Sequence, residues 1–474
     1  MLKWMSSRYS LDVFFYPRNV AIVGATRNPA KPAYYITENL VRLGFTGKIY
    51  PINPNANEIL GLKCYPSLED VPDDIDLVIS LVPAPATLNV VKESAEKGVK
   101  GIVVIAGGFS EGGEVGGELE KKISEILRKT GMRLLGPNTL SPINPSNNLI
   151  VSFRGMKELK KGSLAFCFQS GMYEPKLGWI FNGLHLGVSK IIDVGNKLDV
   201  NEVDVLEYLS RDDETKVIAL HIENIKGDSR RFMELLKETV KKKPVIIVKG
   251  GRTSMGAKAS LTHTGSLSGG SYTIFEAALK QAGAIHAQTL EEFFDFAKVF
   301  EFLKPPAGNR VAIITLSGGE GVIAVDCCEE NGFKLAELKK ETVEQLRKVY
   351  PPWNIPSNPF DMGPCIEFHG NAKVCKTALD SISRDENVDC IVIQLPAFVP
   401  PPELDEVVKS FLRLKEAGKP AVIWRATMGR QEDRIVEELE RNYIPVYPSV
   451  ERAIKALGKL YKYKVFLEKV EGKT

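Results

Sequence analysis

Apolar residues along this chain come in short, nearly unbroken runs. Each run is followed by a longer stretch in which they return every three or four positions. The runs read as strands and the stretches as helices. A first block holds VAIVGA (20–25), KIYPIN (48–53), DLVISLVP (76–83), GIVVIAGG (101–108) and RLLGPN (133–138). A second holds SLAFCF (163–168), VSKIIDVG (188–195), KVIALHIE (216–223) and PVIIVKGG (244–251), and a third RVAIITLSGG (310–319), VDCIVIQLP (388–396) and KPAVIWRAT (419–427). Four or more consecutive apolar residues mark a strand covered on both faces, as in a parallel sheet between helices. The pattern predicts an α/β protein of three doubly wound blocks, spanning 1–153, 163–303 and 309–474. The joints are the charged segment Arg154–Gly162 and the Pro-rich Lys304–Gly308. Blocks two and three open alike, with a strand ending in Ser-Gly (Ser170-Gly171, Ser317-Gly318) that runs straight into a helix. This predicts two related domains behind a different first one.

Composition narrows the class. The 474 residues correspond to about three domains. A hydrophobic content of 44% with 26% charged residues suits a globular chain with full cores. Lys plus Arg (62) nearly balances Asp plus Glu (59), so no basic footprint for nucleic acid is expected. No apolar run reaches the ~18 residues of a membrane span, and Met1–Ser10 lacks the apolar core of a signal peptide. Seven cysteines are scattered without Cys-x-x-Cys, as expected for reduced, buried thiols in the cytoplasm.

In doubly wound sheets ligands sit at the carboxyl ends of strands, beside helix N-termini. The first such turn, in VAIVGATRNPAKPA, resembles a dinucleotide fingerprint, but Thr26 stands where the second Gly belongs. The next strand ends in Pro51-Ile52-Asn53-Pro54, without the acid that binds a ribose hydroxyl. Gly24, Thr26, Arg27, Asn28 and Lys31 instead suit the phosphates of a nucleotide-bearing ligand other than NAD. The plainer alternative is a tight turn with a solvated Arg27. A second turn, Gly108-Phe109-Ser110-Glu111-Gly112, matches the Gly-x-Ser-x-Gly of hydrolases. Gly112, Gly113, Gly116 and Gly117 then disfavour the helix a nucleophile elbow needs, so a glycine loop approached by a ligand is expected.

The segment KGGRTSMGAKASLTHTGSLSGG (249–270) reads as a mobile, glycine-rich loop with seven Ser or Thr and one histidine, His263. One imidazole has too few neighbours for a metal site. It suits a covalent phosphoryl carrier, since imidazole is nucleophilic near neutral pH. A carboxylate would hold one tautomer, and Glu223, closing KVIALHIE, is placed for this. The alternative is a polar residue in an exposed loop. His185, His221, His286 and His369 read as packing residues.

From Leu11 to Phe466 the chain resembles the alpha subunit of the nucleoside-diphosphate-forming (ADP-forming) acyl-CoA synthetases, relatives of succinyl-CoA synthetase. The resemblance rests on LDVFFYPRNVAIVGATRNP, KIYPINPNANEILGLKCYPSLEDVP, AGGFSEGG, LLGPN, HIENIKG, TSMGAKASLTHTGSL and TLSGGEGVIAVDCCEENGF. It implies a Rossmann-like CoA-binding domain followed by two flavodoxin-like domains. It also implies reversible conversion of acyl-CoA, ADP and phosphate into acid, CoA and ATP, through an acyl phosphate and a phosphohistidine. His263 would carry the phosphoryl group and Glu223 would orient it. The helix starts at Ser170-Gly171 and Ser317-Gly318-Gly319 would face that group. CoA would contact Gly24, Thr26, Arg27, Lys31, Asn53, Val82, Pro83, Gly108 and Asn138. Mg2+ would accompany ADP or ATP on a separate ATP-grasp beta subunit, in a heteromer such as α2β2, with a small acyl substrate.

Departures from the family pattern open a second reading. Phe168 replaces a Ser before Gln169, Met172-Tyr173-Glu174-Pro175 replace small residues, and Leu316 and Glu320 replace Asn and Pro. Asn55 replaces a Lys, and GPNTLS stands for GPNCLG. A noncatalytic or weakened CoA-binding paralogue, acting as a regulatory or scaffold subunit, would show such changes. A third reading, an NAD-dependent reductase, would bind NAD rather than CoA in the first block.

Overall fold

The structure is a computed structural model that describes residues 11–169, 171, 174–264, 272–352, 357–425 and 434–472. It divides into two compact units, 1–288 and 289–474. The first contains two major sheets and the second contains one.

In the first sheet, all neighbours are parallel, in the order Lys48–Ile52, Asn19–Val23, Leu77–Ser80, Gly101–Val104, Arg133–Leu135. Val20, Ala21, Ile22, Val78, Ile79, Ile102 and Val103 are fully buried, as continuous apolar runs require. Counted along the chain, this order is 2-1-3-4-5. The connection from strand one leaves to one side of the sheet and the connection from strand three to the other. A crevice therefore opens between the carboxyl ends of these two strands.

The second sheet repeats the order. Its parallel part runs Val188–Asp193, Lys161–Phe168, Val217–Ile222, Val245–Lys249, Ile285–Ala287. The sheet is extended by Ile143–Asn144, antiparallel to Val188–Asp193, and by Leu149–Ile150 beyond it. Pattern alone assigned residues 143–150 to the first block. Their hydrogen bonds instead place them at the edge of the second sheet. The third sheet shows the order once more: Lys334–Leu335, Arg310–Thr315, Cys390–Gln394, Ala421–Trp424, Val446–Tyr447, with Phe360–Asp361 also beside Arg310–Thr315.

The helix Leu290–Phe302, which the sequence places at the end of block two, falls within the second compact unit. It packs on the long helix Val450–Val470. The reason is electrostatic as well as apolar. The Arg452 guanidinium grips the buried Asp295 carboxylate with two bonds of 2.6 and 2.8 Å. Lys298 and Glu440 form an ion pair with both side chains only 3% exposed. A second helix also departs from expectation. Despite Gly116 and Gly117, Glu114–Thr130 is helical. Gly116 is required there, because a Cβ would lie 1.8 Å from the carbonyl oxygen of Phe109. The helix-weakening glycine is thus the residue that lets the helix pack against the preceding loop.

Within the first unit the two sheets are tied near their carboxyl ends. The amides of Asn196, Leu198 and Val200 donate to the carbonyls of Pro137, Gly136 and Leu134 at 2.9, 2.9 and 3.2 Å. Gly195 opens this strip with φ +53, and a Cβ there would sit 2.2 Å from the Pro137 oxygen. Gly195→Ala is expected to destabilise the chain by at least about 1–2 kcal/mol, the cost of the left-handed backbone alone. Denaturant unfolding checks this, and a variant as stable as the parent would show that the strip is not tight.

Candidate functional site

The first crevice, between Val23 and Leu81, collects the residues singled out in the first block. Gly24 turns the chain at φ +86, and its place beside Val82 leaves only 3.2 Å to a Cβ, so the two turns nearly touch. Asn53 does not point at a ligand through its amide. That group donates to the Ala25 carbonyl at 2.8 Å and braces the turn from the neighbouring strand. Thr26 Oγ1 accepts from the Asn28 amide and Asn28 Oδ1 from that of Ala30, closing the loop ahead of the helix Ala33–Arg42. Arg27 and Lys31 are left exposed. Pro83 precedes the helix Ala84–Glu96.

Gly108 (φ +96) and Asn138 (φ +60) belong to the same carboxyl edge. The Gly108 amide is already taken by Glu111 Oε1 at 2.7 Å, and Asn138 Nδ2 reaches Asn196 Oδ1 at 3.4 Å. Ser110 is not poised as a nucleophile. Its hydroxyl donates to Glu120 at 2.8 Å, in a 3-10 turn, Ser110–Gly112, rather than at a strand-to-helix elbow.

The second crevice lies between Phe168 and Ile222. Glu223, 9% exposed, follows the third strand directly. Its backbone amide donates to Gln169 Oε1 at 2.7 Å, and the Asn224 amide shares that oxygen at 3.1 Å. Gln169 also donates through Nε2 to Asn224 Oδ1. Lys197 Nζ then bonds the Asn224 carbonyl at 2.7 Å and Glu202 Oε2 at 2.9 Å. Lys197 and Glu202 are 3% and 2% exposed, so this charge pair sits in the interior. Burial lowers the Lys197 pKa, with Glu202 opposing. Glu202 Oε1 further accepts from the Lys226 and Gly227 amides at 2.6 and 3.0 Å. A buried carboxylate with three donors has its lone pairs answered.

The described part of the histidine segment, up to Thr264, is not the open loop that its glycines suggest. Ser254–Thr264 is helical. Gly256 lies within it, but the Ala257, Lys258 and Ala259 that follow are strong helix formers. Thr253 caps it, accepting from the Gly256 amide at 3.0 Å. His263 falls in the last turn as backbone, with its side chain outside the described residues. Ser260, one turn earlier, is buried and donates through Oγ to Glu223 Oε2 at 3.1 Å. The same helix touches the turn Ser110–Gly112, so the histidine segment and the first block's glycine loop are neighbours. On the next strand, Lys249 Nζ donates to the Glu223 and Gly250 carbonyls. Burial lowers the Lys249 pKa, with Glu223 acting against it. A Cβ on Gly250 would stand 3.2 Å from Glu223 Cγ, so glycine keeps the carboxylate's flank open.

Ser170 lies outside the described residues, as do Met172, Tyr173 and the side chain of Glu174. Gly171 is described, 3.5 Å from Asp193 Oδ2 measured to a would-be Cβ. In the second unit, Ser317 caps the helix Gly318–Glu330, and its hydroxyl both accepts from the Glu320 amide and donates to Glu320 Oε2 at 3.0 Å. Sequence reasoning missed Gln169, Lys197, Asn224 and Ser260. Gln169 was visible beside Ser170, but nothing in the sequence pairs it with residues 55 positions away.

Comparison with known proteins shows the family. Residues 18–144 match a CoA binding domain, 161–300 a succinyl-CoA ligase like flavodoxin domain and 311–468 a ligase-CoA domain. These define a CoA-ligase chain of three domains. A solved dinucleotide-forming acetyl-coenzyme A synthetase 1 from Ca. Korarchaeum cryptofilum, in complex with phosphate and ADP, superposes with TM-score 0.87 at 33% identity, covering 98% of this chain and 99% of that one. The acetate–CoA ligase [ADP-forming] II subunit alpha of Pyrococcus furiosus is 39% identical, over 92% of this chain and 94% of its own length. The acetate–CoA ligase [ADP-forming] II of Archaeoglobus fulgidus is 40% identical over 95% of this chain, which spans only 66% of that longer protein. The chain belongs to the ADP-forming acetate–CoA ligase family, in the portion that forms the alpha subunit. Among the described residues no helix is long and apolar enough to cross a membrane.

The buried pair beneath Glu223 makes a stability prediction. Lys197→Met strands the Glu202 carboxylate and is expected to cost about 3–5 kcal/mol, whereas Lys197→Met with Glu202→Leu recovers part of that loss. Urea unfolding of the two variants measures the difference.

Proposed function

We propose that this chain is the alpha subunit of an acyl-CoA synthetase that makes ATP from a small acyl-CoA. Inorganic phosphate attacks the thioester carbonyl and expels the CoA thiolate, leaving an acyl phosphate. The His263 imidazole takes the phosphoryl group and releases the acid, and ADP then accepts the group to give ATP. The observation that carries this reading is the bond between Glu223 at the second crevice and Ser260 on the helix of His263. It holds a carboxylate against the helix whose imidazole must be kept in one tautomer. The three matched domains and the alpha-subunit relatives support the same chemistry.

CoA fits the first crevice by charge and backbone. Arg27 and Lys31 are exposed beside the Gly24 turn, where a helix start adds partial positive charge for phosphates. Val82, Pro83 and Asn138 line the same edge. Among the described residues no group of three His, Cys, Asp or Glu could hold a metal. The Mg2+ that accompanies ADP belongs in this proposal to a partner, an ATP-grasp beta subunit in a heteromer such as α2β2, as the resemblance implies. The proposed compartment is the cytoplasm, where the seven free thiols stay reduced.

One observation favours the alternative of a weakened, CoA-holding paralogue. Glu320 places its own carboxylate on Ser317 Oγ, at a helix start proposed to meet the phosphoryl group together with Gly318 and Gly319. An internal anion there competes with phosphate. Radiolabelled ATP with Mg2+ and the co-purified partner decides between them. An acid-labile, base-stable phosphoenzyme is expected, lost in His263→Ala and formed more slowly in Glu223→Gln. No label on the parent chain would favour the paralogue, and label surviving in His263→Ala would sink the carrier assignment. For CoA, Arg27→Ala with Lys31→Ala is expected to raise Kd about tenfold or more, less so at high salt. Calorimetric titration with CoA, and with NAD as the control ligand, reads this out.

A further inference from the structure

The Glu223 carboxylate is met by a side chain that no role has yet claimed. Ser260 Oγ donates to Oε2 at 3.1 Å, and Ser260 is only 8% exposed. Residues 260 and 263 are three apart on one helix, a spacing that puts both positions on the same face. From the other end, the Glu223 backbone is pinned by Gln169 through its amide and by Lys249 through its carbonyl. With the backbone anchored, the remaining freedom of the residue is rotation about its side-chain bonds. The Ser260 hydroxyl restricts that rotation.

We propose that Ser260 is a positioning residue for phosphoryl transfer: its hydroxyl fixes the rotamer of the Glu223 carboxylate from the helix that carries His263. The consequence is that the carboxylate is oriented by the very element it serves. Ser260 presets the Oε2 end of the carboxylate from the same helix that carries the imidazole. The loss of side-chain freedom is then met in the folded site rather than at the moment of transfer. This inference rests on the carrier assignment of His263 and Glu223, and its test separates the two.

The experiment is a double-mutant cycle on the full heteromer, reading the single-turnover rate of phosphoenzyme formation from labelled ATP. Ser260→Ala is expected to slow that rate about tenfold, in the range usual for a group that orients a catalytic partner. Ser260→Thr, which keeps the hydroxyl, is expected to restore most of the rate. In a Glu223→Gln background, Ser260→Ala should change the rate by less than about twofold, because its target carboxylate is gone. CoA affinity should be the same in all variants. A Ser260→Ala rate equal to the parent's, or an equal fall with and without the Glu223 carboxylate, would overturn the proposal. A variant that melts early is judged by the Thr replacement, whose failure to recover the rate while folding normally would also overturn it. Label surviving in His263→Ala would instead defeat the underlying carrier assignment, whatever Ser260 does.

Discussion

A parallel sheet wound in the order 2-1-3-4-5 sends the connections after its first and third strands to opposite faces, and nothing in the sheet fills the gap they leave. All three sheets here have this order. Each gap is an opening at strand ends, where peptide amides run out of partners and helix N-termini carry partial positive charge. The chain uses the first gap for the Gly24 and Val82 turns and the second for Gln169 and Glu223. In the third, Gln394 accepts from the Leu316 amide at 2.8 Å, just ahead of the Ser317 cap. The chemistry of each gap differs only in the side chains placed there.

The second gap shows how a polar site is kept stiff inside an apolar layer. Gln169, Asn224, Lys197 and Glu202 bond one another in series, and the charges at the end of that series are fully enclosed. Such a pair contributes little net stability compared with apolar residues, because desolvation cancels most of the attraction. What it supplies is a single arrangement, since breaking any one bond strands a buried group. That is the property wanted beneath a carboxylate proposed to orient an imidazole. The bonds between the amides of 196–200 and the carbonyls of 134–137 extend the same stiffness to the glycine loop at Gly108.

Much of the fold was legible because a buried parallel strand needs an unbroken apolar run and a helix needs a 3.6-residue return. Every run quoted from the three blocks contains or overlaps a strand of a sheet. The departures came where a specific contact outweighed local propensity or chain order. Gly116 weakens a helix by local propensity, yet Phe109's backbone leaves no room for any other residue. Residues 143–150 follow the first block in sequence, but their amides find partners at the edge of the second sheet. The glycines around His263 suggested a loop, while Thr253 and the alanines between them formed a capped helix.

By itself the sequence determined the class of fold, the positions of the strand ends and the residue types brought to them, because periodicity and glycine placement act over a few residues. Glu223 and His263 could be paired only as a chemical expectation, since forty positions of chain separate them. Tertiary structure decided that Ser260 meets the Glu223 carboxylate, that Gln169 holds its backbone and that Glu320 turns back on Ser317. Two of these contacts join residues far apart in the chain, and sequence period carries no information about which distant groups will face each other. That choice is made by burial, which leaves a polar atom no solvent and therefore obliges it to find the one partner within reach.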